Sequence, residues 1–133
     1  MSDLIHMALL SKGLKINKKG GGEFSLPEFV NRVQGFNLGL RLTHWETTSY
    51  ELHKAVELTE ESLASSLDAF VEACIGSMEG KRPTMLGTVT KELDPDALLD
   101  FLNDLECKET DLLNIRDEML AAVHKFKYLK TLT

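Results

Sequence analysis

Four segments of the chain repeat apolar residues at intervals of three and four, the spacing of helices with one buried face. The first begins at Ser25, which forms a capping box with Glu28, while Phe24 can staple onto Phe29 and Pro27 sits in the first turn. Leu26, Phe29, Val30, Val33, Phe36 and Leu40 hold the period up to His44 and Trp45. Gly35 and Gly39 make a small-residue notch, which predicts a close helix crossing. A second capping box, Thr48 with Glu51, predicts a tight turn at 46–48 and an antiparallel second helix. That helix should run to about Glu79 and stop at Gly80, burying Val56, Leu63, Leu67, Phe70, Val71, Cys74 and Met78.

Residues 80–93 carry no period and read as a loop. Asp94 and Pro95 open a short third helix with Leu98, Phe101, Leu102 and Leu105 on its apolar side. Residues 107–110 interrupt the stripe before a fourth helix, where Leu112, Ile115, Met119, Val123, Phe126 and Leu129 sustain the period. No glycine or proline separates helices three and four, so one bent rod is an alternative to two helices. Either way the fold class is all-α, a helical bundle with a short third helix.

Residues 25–133 are the expected bundle, and residues 1–24 an N-terminal arm. The arm reads as a short amphipathic helix over 3–10 followed by a Lys/Gly-rich linker, because three consecutive glycines cost too much backbone entropy for a regular element. It sets Lys12, Lys15, Lys18 and Lys19 against Asp3, whereas the whole chain carries a net charge of −6. Residues 1–22 are expected to contact other chains rather than fold onto the parent bundle. DNA contact by the lysines is the lesser alternative, since an acidic body disfavours nucleic acid.

A length of 133 residues suits one domain. Cys74 and Cys107 make no CxxC pair, so they read as small core residues in a reducing compartment. No apolar run approaches the roughly 18–20 residues of a membrane span, and the stretch LIHMALL is too short and too acidic in its flank for a signal peptide. Nothing resembles a nucleophile triad, a phosphate loop or a nucleotide fingerprint.

The candidate chemistry lies on helix two. His53 and Glu57 are four apart, as are Asp68 and Glu72. At about 100° per residue all four fall within roughly 100° of one another along one edge. Fifteen residues of helix span roughly 22 Å, so His53 cannot share an ion with Asp68 or Glu72 of its own chain. They could meet only if a second copy packed antiparallel along this helix, giving two equivalent sites per two-fold dimer.

These residues resemble Dps, the miniferritin branch of the ferritin-like superfamily. The resemblance rests on His44-Trp45 at the end of helix one and on Leu52-His53, Glu57, Asp68 and Glu72 along helix two. It implies a ferritin-like bundle with a non-haem di-iron ferroxidase site between subunits. His44 and His53 would come from one subunit, with Glu57 a supplementary ligand and Trp45 packed beside the iron. Asp68 and Glu72 would come from the mate. The turn between the histidines is shorter than in typical miniferritins, and so is helix three. No Glu-x-x-His occurs, so the four-helix di-iron site of larger ferritins is absent.

Thr43 to Ala55, Asp68 to Ala73, Leu112 to Leu120 and Lys127 to Leu132 are also similar to small helical proteins of tailed phages. That resemblance implies the cytoplasm of an infected host or a virion. Two functions follow: an iron-oxidising homo-oligomer, or a structural or assembly protein of a phage particle that meets other phage proteins through residues 1–22.

Overall fold

A computed structural model describes residue 9 and residues 12–16, 22–85 and 87–133. Their fold is an all-α bundle of four helices: α1 (Leu26–Glu46), α2 (Tyr50–Ser77), α3 (Pro95–Asn103) and α4 (Thr110–Lys130). A small antiparallel sheet closes one end, with β1 (Lys15–Ile16) between β2 (Gly22–Glu23) and β3 (Leu105–Glu106). Among the described residues no helix is long and apolar enough to cross a membrane.

Local chemistry sets the helix starts. Ser25 Oγ accepts the Glu28 N–H at 3.2 Å, and the Phe24 ring lies 5.8 Å from that of Phe29, as the staple requires. Asp94 Oδ1 accepts from the N–H groups of Asp96 and Ala97, with Pro95 in the first turn. The cap of α2 is Ser49 rather than Thr48: its Oγ accepts the Leu52 N–H at 3.2 Å. The shift arises because Thr47 Oγ1 accepts the Ser49 N–H, a local turn that delays the helix by one residue.

The linker of three residues, 47–49, folds α2 back on α1. Phe29 stacks on Phe70 at 4.5 Å, Asn37 donates to the Glu60 carbonyl and Arg41 pairs with Glu60, so the two helices run antiparallel. From α2 the chain crosses the full bundle before α3. Its extended residues pass over the Gly35–Gly39 notch, where the Glu92 N–H donates to the Gly35 carbonyl at 3.1 Å. A Cβ on Gly35 would overlap the Thr90 carbonyl oxygen, and one on Gly39 would lie 2.9 Å from that of Glu92. The notch thus admits extended backbone, which corrects the expected helix crossing.

Helices α3 and α4 are separate and antiparallel, pinned by Lys127 to Asp96 at 2.5 Å. Arg116 Nη1 reaches the Leu102 and Leu105 carbonyls and ties down the break between them. Phe29 meets Phe101 and Phe36 meets Phe126, so all four helices share one core. The C-terminus of α4 lies at the same end as the α1–α2 turn.

Residues 12–16 of the arm fold onto this bundle, which for them corrects the expectation that residues 1–22 contact other chains rather than the parent bundle. The helix expected over 3–10 lies outside the described residues except for Leu9, which is buried. Leu14 and Ile16 are buried on either side of exposed Lys15, and Lys15 and Ile16 pair with Glu106 and Leu105 of β3. Lys12 and Lys15 are ion-paired with Glu109 and Glu106, so two of the arm's lysines are engaged by the bundle itself. Burial of Leu14 carries a measurable consequence. Leu14→Ala should lower the stability in urea by about 2–5 kcal/mol, the range for a core leucine. An unchanged unfolding midpoint would show that the arm contributes nothing to the core.

Candidate metal centre

Helix α1 ends two residues after His44, and α2 starts three residues before His53. The last carbonyls of a helix lack intrahelical partners, and here Thr43 is the last residue served, by the Thr47 N–H. The next carbonyl, that of His44, lies 3.1 Å from His53 Nδ1. A carbonyl only accepts, so His53 Nδ1 must carry the proton. The imidazole therefore caps α1 and is held in one orientation.

That orientation directs His53 Nε2 toward Glu57, one turn along α2, whose Oε2 is 3.8 Å away. The His44 ring stacks on His53 with centroids 3.8 Å apart and planes 29° from parallel. One ligand atom from each of His44, His53 and Glu57 lies within 4.8 Å of the other two, and all three residues are half-buried. His44 Nδ1 is buried with no hydrogen-bond partner, a state that costs about 1–3 kcal/mol. With Nδ1 protonated, His53 Nε2 carries a lone pair 3.8 Å from Glu57 Oε2, a nitrogen and an oxygen donor that one cation could share.

The set fits a first-row divalent ion. Imidazole nitrogen and carboxylate oxygen bind such ions at about 2.0–2.2 Å, so ligand atoms within 4.8 Å of one another would have to draw closer around an ion. A ligating histidine whose other ring nitrogen donates to a carbonyl is the usual arrangement around metals, because it fixes the tautomer. The remaining coordination positions would be open.

The structure does not bring Asp68 and Glu72 to this group. Both are exposed, about four helical turns further along α2. The Glu72 carboxyl is raised above its usual range by a hydrogen bond to Asp68, then by that neighbour's negative charge and a little desolvation. Trp45, expected beside the ion, is 69% exposed and lies outside the ligand group, with the Arg41 guanidinium 5.5 Å from its ring.

Lys54 was not singled out by the sequence, though its place three residues before Glu57 was visible. Its Nζ is 3.7 Å from the same Glu57 Oε2 that faces His53. The cysteines take no part. Cys74 is pushed up to about 12, first by burial and then by the nearby Cys107 and Asp111, and Cys107 is raised mainly by burial.

Comparison with known proteins finds no matching family model, no matching curated protein and no matching solved structure. The geometry itself makes a spectroscopic prediction. Nitrogen-15 shifts of the neutral His53 ring should show the proton on Nδ1; a proton on Nε2 would remove the cap and the ligand orientation together.

Proposed function

We propose that this chain is a Dps-like, phage-encoded helical protein that takes Fe(II) as substrate and oxidises it between two-fold-related copies. The observation that carries the reading is the convergence of His44, His53 and Glu57, with His53 held in a ligand-competent tautomer. These three supply one chain's half of the centre. Asp68 and Glu72 of a mate would supply the other half.

The fold supports this reading in a second way. A single long crossover between the second and third helices is the connection used by ferritin-like bundles. Antiparallel pairing of α2 with its copy sets His53 against the mate's Glu72, and Glu57 against the mate's Asp68. The two-fold axis then passes between Ser62 and Leu63, beside the exposed small residues Ala64 and Ser65. Small side chains there let the helices approach closely enough to share ions. Tyr50, 68% exposed, would fall opposite the half-buried Ile75 of the mate.

Each chain contributes neutral nitrogen donors that suit Fe(II) and carboxylates that favour Fe(III) once an electron is lost. Dioxygen or peroxide would accept the electrons. The second reading, a structural component of a phage particle, draws on the exposed Trp45, Tyr50, Tyr128 and Leu132 around the turn end of the bundle. Such a surface can seat a protein partner with no redox chemistry.

Complementation separates the two. His53→Ala and Asp68→Ala should each abolish iron binding, because every ion draws on both chains. Mixing the mutants under subunit exchange should restore about a quarter of the wild-type sites: half the dimers become mixed, and one of the two sites in each keeps both native ligands. The quantity to measure is Fe(II) bound per chain without oxygen, then its oxidation on adding peroxide. Wild-type protein that holds no iron would leave only the structural reading.

A further inference from the structure

Lys54 has no place in the proposed chemistry, yet it faces the centre. Its ammonium group lies 3.7 Å from Glu57 Oε2, while His53 Nε2 approaches the same oxygen at 3.8 Å. The side chain also passes the Tyr50 ring, with Nζ 5.9 Å from its centroid, which holds the cation on this side of the helix. Helix stability gives little reason for the pair. A lysine upstream of its glutamate is the less favourable order along a helix, and Lys54 stands in the second turn of α2, at the end where the helix dipole disfavours cations.

We infer that Lys54 is a built-in competitor for the metal ion, a positioning residue that makes the centre release its ion. This inference rests on the proposed metal centre. With no ion bound, Lys54 neutralises Glu57 and orients its carboxylate. An incoming divalent cation must displace that ammonium from Oε2 and then tolerate its positive charge a few ångströms away. Both effects weaken binding and speed dissociation. Such a centre treats its ion as a substrate in transit rather than a resident cofactor, as turnover of iron demands.

The test uses Co(II) as the probe, since its visible absorption reports directly on ligands, with the full-length chain in its native assembly. Lys54→Gln removes the charge and should bind Co(II) about three- to ten-fold more tightly, with slower release to a chelator. Lys54→Arg keeps the charge and should match the wild type. In a Glu57→Gln background, Lys54→Gln should give a clearly smaller gain, because the competition acts chiefly through that carboxylate. A structural role would instead show as a lowered melting temperature, shared by both backgrounds. Wild type that binds Co(II) while Lys54→Gln binds it equally or more weakly overturns the inference alone. Absence of Co(II) binding in every variant overturns the metal centre and this inference with it.

Discussion

The three-residue turn at 47–49 is the constraint on which the rest of this molecule depends. It is too short to let α1 and α2 separate, so the end of one helix and the start of the other must solve a shared problem. The problem is the unpaired carbonyl of His44. The His53 imidazole solves it by donating Nδ1–H, much as basic side chains cap helix C-termini elsewhere. A cap alone would explain that hydrogen bond. What capping leaves unexplained is where the freed Nε2 goes: toward Glu57 on the next turn, beside a second imidazole whose Nδ1 has no partner.

The bundle holds that turn in place from both sides. Phe29, Phe36, Phe70, Phe101 and Phe126 link all four helices through ring contacts, so the hairpin cannot splay without disrupting the core. The crossover adds a second clamp. Its backbone lies in the Gly35–Gly39 groove, and Arg32 meets Glu92 across it at 3.8 Å. Even a methyl group at Gly35 would lift this strap, since the obstacle is a carbonyl oxygen rather than a flexible side chain.

Much of this was legible in the sequence because its cause is local. Ser25, Asp94 with Pro95, and the apolar period of α1, α2 and α4 act within a turn or two of themselves. What stayed hidden depends on distant partners. Leu14-Lys15-Ile16 has the alternation of a strand, but two paired residues are too few to outweigh the glycines that follow. Its partner, Leu105–Glu106, lies some ninety residues further on and reads as the tail of a helix. That same pairing separates α3 from α4, which no breaker residue announced. At the site, the meeting of His44 and His53 follows from the tight turn, and the separation of His53 from Asp68 follows from the rise of a helix. Trp45 was misplaced because its neighbour in sequence faces inward while it faces water.

The composition of the candidate centre bears on which ions it can take. The only thiols in the chain are Cys74 and Cys107. Cys74 is fully buried nearly six turns along α2 from His53, and its pKa is pushed up to about 12, so it offers no thiolate near neutral pH. Cys107 lies by the sheet beside the Lys12 carbonyl, at the opposite end of the bundle from the turn. The donors that converge are two imidazoles and one carboxylate, and in the proposed dimer Asp68 and Glu72 of a second copy would add further carboxylates. Such a set lacks the soft ligands that retain Cu(I) or a structural zinc, and under the proposed pairing its oxygen share would rise when a second copy docked. Assembly would then do more than complete the coordination sphere. It would shift the site from nitrogen-rich toward oxygen-rich, and so toward the harder, oxidised form of iron.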